Sequence, residues 1–62
     1  MINGYVEVFG TVLSENFVSI KADCGIDKDV WLPKSQLEDW PDVGESGEIL
    51  MTEWMAIKKG LI

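Results

Sequence analysis

A chain of 62 residues holds one domain, here expected over residues 1–62, and a chain this short buries only about 60% of the surface it exposes when unfolded. Its single cysteine, Cys24, excludes an intrachain disulfide, and the lack of histidine removes the commonest partner for a zinc site. Eleven acids against five lysines and no arginine give a formal charge of −6, a poor balance for gripping nucleic-acid phosphates.

Stability must then come from packing or from association, and a homodimer is one route. The composition favours packing: 47% of residues are hydrophobic, including three Trp, one Tyr and two Phe. No stretch approaches the ~20 apolar residues that span a bilayer, so no membrane partner is expected. The start of the chain has no basic region and no long apolar run, and with one unpaired cysteine this predicts a reducing cytoplasm.

Tyr5 to Leu13 carries the first strand signal. Val6, Val8 and Val12 share one face, and Tyr5, Phe9 and Leu13 lie on the other. Apolar residues on both faces predict a central strand partly covered on both sides. Gly10 inside it predicts a bulge or sharp bend. Ser14-Glu15-Asn16 is a tight connection, with Asn16 suited to a left-handed turn position. The next strand, Phe17 to Asp23, alternates cleanly, with Val18, Ile20 and Ala22 on one face, and pairs with the first as an antiparallel hairpin. After a loop at Cys24 to Lys28, Asp29 to Leu32 forms a third strand that Pro33 ends.

Ser35 and Glu38 have the spacing of a capping box, predicting one helical turn from Gln36 to Asp39 that Trp40-Pro41 closes. From Glu38 to Glu53 there are six acids and no base. Glu48 to Met51 is a fourth strand. Thr52 then caps a helix from Glu53 to Lys59, with Gly60 at its left-handed end and Leu61 as the apolar residue beyond. Trp54, Ile57 and Leu61 fall on one face of it. The expected fold is mainly β: a small OB-like or SH3-like barrel, or a bent antiparallel sheet of four to five strands, with one short helical turn and a short C-terminal helix. Four strands are visible, one fewer than in an oligonucleotide-binding barrel.

No catalytic constellation appears. Cys24 and the serines lack a histidine base, Lys34 next to a strand end reads as a charge rather than a reactive amine, and no glycine-rich phosphate loop is present. Asp23, Asp27 and Asp29 flank a glycine loop but lack calcium-loop spacing, so neither metal nor cofactor is expected.

The tryptophans leave two readings. Trp31 and Trp54 complete a small core, or one or two of the three, Trp40 included, form an exposed anchor for a partner. Trp31, Lys34 and Gln36 are the residues around Pro33 that the strand-stop-cap pattern does not explain. The acids Glu38, Asp39, Asp42, Glu45, Glu48 and Glu53 form a single-sign surface suited to a basic partner.

Val30-Trp31-Leu32-Pro33-Lys34-Ser35-Gln36-Leu37 and Thr52-Glu53-Trp54-Met55-Ala56-Ile57-Lys58-Lys59-Gly60-Leu61-Ile62 resemble a group of very small phage and prophage proteins. That group carries a W-[I/L]-P-K-S-Q segment and an E-W-x-A-x-x-x-G-L ending, and the likeness covers roughly residues 18–62. The resemblance implies a mobile-element origin, hence a host-cell cytosol, and supplies no catalytic residues. The leading expectation is a non-enzymatic binding module of phage origin, an inhibitor or accessory factor acting on a protein partner. The alternatives are a single-strand nucleic-acid-binding barrel using Trp31, Phe17 and the lysines, and an acidic DNA mimic. Nucleic acid is the weaker partner, given the charge.

Overall fold

The computed structural model describes residues 4–62, so residues 1–3 of the expected domain lie outside the described residues. Period-two alternation at the start of the chain produces an 11-residue strand, β1 (Tyr5–Glu15). It is followed by β2 (Ser19–Asp23), β3 (Val30–Pro33), a 3₁₀ turn (Lys34–Gln36), β4 (Leu37–Asp39), β5 (Ser46–Thr52) and helix α1 (Glu53–Lys58). The five strands form one antiparallel sheet in the order β3-β2-β1-β5-β4.

That order dictates curvature. β3 and β4 stand at opposite ends of the sheet, yet only the 3₁₀ turn joins them. Five strands laid flat would hold their outer members about 19 Å apart at ~4.8 Å per gap. The four steps from Pro33 to Leu37 span at most about 14 Å even when fully extended. The sheet therefore curls until its two ends approach.

The central strand serves two neighbours in turn. Its first half, Tyr5 to Thr11, pairs with Ser46–Thr52. Its second half, Thr11 to Glu15, pairs with β2. The predicted irregularity exists but not at Gly10: the register slips between Val12 and Ser14, leaving Leu13 as the extra residue. Such a bulge reverses the alternation beyond it. Val8, Gly10 and Val12 are buried, but after the slip it is Glu15 that stands opposite the inward residue Ile20. Gly10 has a different role. A Cβ there would sit 3.0 Å from Cys24 Sγ, 3.1 Å from Ile49 Cδ1 and 3.2 Å from the Asp23 carbonyl oxygen. The strand passes so close to its neighbours here that a side chain would have to displace them.

Only one face of the sheet is covered, which corrects the expectation for β1. The core comprises Val8, Val12, Ile20, Ala22, Val30, Leu32, Leu37, Ile49, Met51, Met55 and Ala56, drawn from all five strands and the helix. Phe9, on the opposite face of β1, is 62% exposed. A sheet that curls onto itself buries its concave side, and among the described residues no second layer lies over the convex one.

Three local expectations also change. β2 begins at Ser19 rather than Phe17, because Phe17 and Val18 form the hairpin tip. Asn16 does not turn left-handed; no non-glycine residue among those described has positive φ. Its side chain makes the turn instead, with Oδ1 accepting from Val18 N at 2.9 Å, Ser19 N at 2.8 Å and Ser19 Oγ at 3.0 Å. The Ser35–Glu38 capping box does not form. The turn there is 3₁₀, begins at Lys34 and lacks a side-chain cap, and Leu37–Asp39 runs on as strand β4, which the sequence pattern does not show. Pairing Leu37 with Met51 buries both side chains, which outweighs a one-turn helix that is marginal by itself.

Helix α1 keeps its expected caps. Thr52 Oγ1 accepts from Met55 N at 3.2 Å. At the far end Leu61 N donates to the Ala56 carbonyl and Gly60 N to that of Ile57, a Schellman closure that requires the positive φ of 73° at Gly60. The buried side of the helix is Met55 and Ala56. Trp54 and Ile57 share the other side and face solvent. Among the described residues no helix is long and apolar enough to cross a membrane.

Candidate functional site

The core is aliphatic throughout. None of the six aromatic residues belongs to the buried set, although Trp40 packs against it. Phe17 is 95% exposed, Phe9 62%, Trp54 58% and Trp31 46%. Trp31 and Trp54 therefore do not complete a core, which corrects the plainer of the two readings. Trp31 alternates with the buried Val30 and Leu32 and so points outward from an end strand. Trp54 occupies the helix side turned away from the sheet. Phe17 is held out by the Asn16 turn, whose three accepted hydrogen bonds fix the loop around it.

Each tryptophan has a lysine beside it. Lys58 Nζ lies 4.8 Å from the Trp54 ring centroid, Lys34 Nζ 5.8 Å from that of Trp40, and Lys21 Nζ 6.0 Å from that of Trp31. The last pair follows from register, since Lys21 and Trp31 are direct cross-strand partners on the outer face. Such contacts hold an exposed indole in one orientation and contribute about 0.5–1 kcal/mol each.

Lys34 and Gln36 have partners within the chain. Lys34 Nζ reaches Glu15 Oε2 at 2.6 Å, and its backbone N–H donates to the Val18 carbonyl at 2.8 Å. These bonds tie the 3₁₀ turn to the β1–β2 hairpin, with the bulge at Leu13 having turned Glu15 toward that end. Gln36 Oε1 accepts from Thr52 Oγ1 at 2.8 Å. The same hydroxyl caps α1, so Gln36 links the 3₁₀ turn to the start of the helix. The structure thus brings Lys34 and Trp40 together at one end of the sheet and sets Gln36 against the helix cap. Trp31 and Trp54 stand on separate elements.

The acids Glu38, Asp39, Asp42, Glu45, Glu48 and Glu53 are all exposed. The ion pairs among the described residues, Lys21–Asp29 at 4.0 Å and Lys34–Glu15, involve none of them. Removing these six from the eleven acids leaves five, matched by five lysines, so the whole formal charge of −6 lies between residues 38 and 53.

Cys24 is half-buried, and its thiol pKa is raised, first by burial and then by the charge of Asp23. Among the described residues there is no group of three potential metal ligands and no pocket. Phe9 and Ile57 as exposed apolar residues escaped the sequence reading. Phe9 sits in a strand apolar on both faces, which periodicity alone reads as doubly covered. Ile57 follows Trp54 at helical spacing, which reads equally as an inner or an outer stripe.

Compared with known proteins, the chain matches no family model, no curated protein and no solved structure.

Proposed function

We propose that this protein is a non-enzymatic binding module that acts through protein–protein contacts, an inhibitor or accessory factor of phage origin working in the host cytosol. One observation carries the reading: the chain builds its core from aliphatic residues and methionine and leaves Phe17, Trp31 and Trp54 outside. A small domain in need of apolar burial gains most from its aromatics. Their placement outside the core suits contact with a partner, where tryptophan anchors carry a large share of binding energy. The finer fold assignment, an OB-like or SH3-like barrel, belongs to this reading and draws support from the curvature that the three-residue link imposes.

Affinity capture from host lysate, with quantified bound proteins, tests it. The wild type retains a saturable partner, and Phe17→Ser, Trp31→Ser or Trp54→Ser releases it while each variant still unfolds in one cooperative transition. Retention of the same partners by all three variants refutes the proposal.

A second reading, single-strand nucleic-acid binding, draws on the Lys21–Trp31 and Lys58–Trp54 pairs, each setting a cation beside a ring able to stack on a base. Tryptophan fluorescence that stays constant on adding single-stranded DNA, at low and at moderate salt, eliminates it.

A further inference from the structure

We infer that the convex face of the β1–β5–β4 half, centred on Phe9 and Leu50, docks a lysine- or arginine-rich polypeptide segment carrying apolar side chains. This deepens the protein-contact reading and rests on it.

Register places the residues. Direct cross-strand partners project to the same side of a sheet. Phe9 stands opposite Glu48, and Leu50 stands opposite Glu7 on one side and Asp39 on the other. Phe9 is an exposed aromatic on the central strand, and Leu50 beside it is half-buried. Glu7, Asp39 and Glu48 surround this apolar centre, all exposed and none within reach of a lysine among the described ion pairs. The lysine on the convex face of the other half, Lys21, is held between Trp31 and Asp29.

Charge complementarity selects the occupant. The run from Glu38 to Glu53, which covers β4, β5, the loop between them and the first residue of α1, carries the entire net charge of the chain. A second copy would bring the same acids face to face, and like charges in register repel. Nucleic acid is repelled for the same reason. A basic segment satisfies the acids, and an apolar side chain on it satisfies Phe9 and Leu50. A purely electrostatic partner, such as the phosphate-binding groove of a DNA-binding protein, would have no use for the apolar centre.

The test uses three labelled synthetic peptides of equal length: lysines with two phenylalanines, lysines alone, and glutamates with two phenylalanines. Binding to the full chain is read by fluorescence anisotropy, and the site by amide chemical-shift changes. The lysine–phenylalanine peptide binds best and shifts the amides around Phe9, Glu48 and Leu50. Phe9→Ser weakens it by about tenfold or more, as a central anchor does. Glu7→Gln combined with Glu48→Gln flattens the salt dependence and leaves the Phe9 effect in place. A melting temperature matching the wild type shows that each variant is folded. Equal binding of the all-lysine peptide, indifferent to Phe9→Ser, overturns the inference in favour of charge alone. Shifts centred on Phe17 or Trp54 overturn it and leave the protein-contact reading standing. No saturable binding to any face overturns it, and with an empty lysate capture that reading falls as well.

Discussion

Replacing Gly10 with alanine probes the tightest point of the fold. The added methyl would meet Cys24 Sγ at 3.0 Å, Ile49 Cδ1 at 3.1 Å and the Asp23 carbonyl at 3.2 Å, all inside ordinary van der Waals contact. Overfilling a packed site costs about 1–3 kcal/mol. Restricting the unfolded chain returns about 0.4–1 kcal/mol, because φ at Gly10 is not in the left-handed region. The net expectation is a loss of roughly 0.5–2 kcal/mol. At about 4–8 °C per kcal/mol for a domain of this size, the melting temperature falls by a few degrees to about 15 °C. Tryptophan fluorescence during urea and thermal unfolding reads it, with the urea slope unchanged. A second substitution sharpens the test. Cys24→Ala removes the nearest obstructing atom, so Gly10→Ala costs less in that background than in the wild type. Recovery is partial, because the Asp23 carbonyl is backbone and stays in place. An alanine variant as stable as the wild type, or a cost unaffected by Cys24→Ala, refutes the close-approach account of Gly10.

Three further outcomes follow from single side chains. Thr52→Val removes the helix cap and the donor to Gln36, and costs about 1–2 kcal/mol in urea titration, whereas Thr52→Ser stays close to the wild type; equal losses for both would show that the hydroxyl is idle. Phe17→Ser changes unfolding free energy by no more than about 0.5 kcal/mol, as exposed positions do, and Trp54→Ser by about 1 kcal/mol because it also loses the contact with Lys58, and losses of about 3–5 kcal/mol would mean the rings are core after all. Cys24 makes stability fall in alkali. Its thiol ionises at higher pH when folded than when unfolded, so its contribution is complete below about pH 8.5 and declines as pH rises toward the folded value. Urea midpoints that drop equally with pH in the wild type and in Cys24→Ala contradict this.

Much of the fold was legible because period-two alternation reports which residues share a face. Val8 and Val12, and Ile20 and Ala22, were each placed on one face and are buried together. The helix ends were equally readable: a threonine cap and a Gly60-Leu61 closure depend on neighbours in the chain and little else. Strand β4 was not legible, since Leu37–Asp39 is three residues long and owes its conformation to pairing with β5, where Leu37 and Asp39 meet partners 14 and 11 residues away. Local spacing there favoured a capping box, and the burial of Leu37 against Met51 overrode it.

The same division separates the candidate sites. Composition and charge by themselves determined that no disulfide closes within this chain and that its net charge lies in one run. Which side of each aromatic stripe meets solvent depended on the curl of the sheet. Strand order and a three-residue link bend it, the concave side closes on aliphatic residues, and Phe9, Trp31 and Trp54 remain on the outside. Periodicity sorts residues into faces, but only the assembled sheet decides which face is buried.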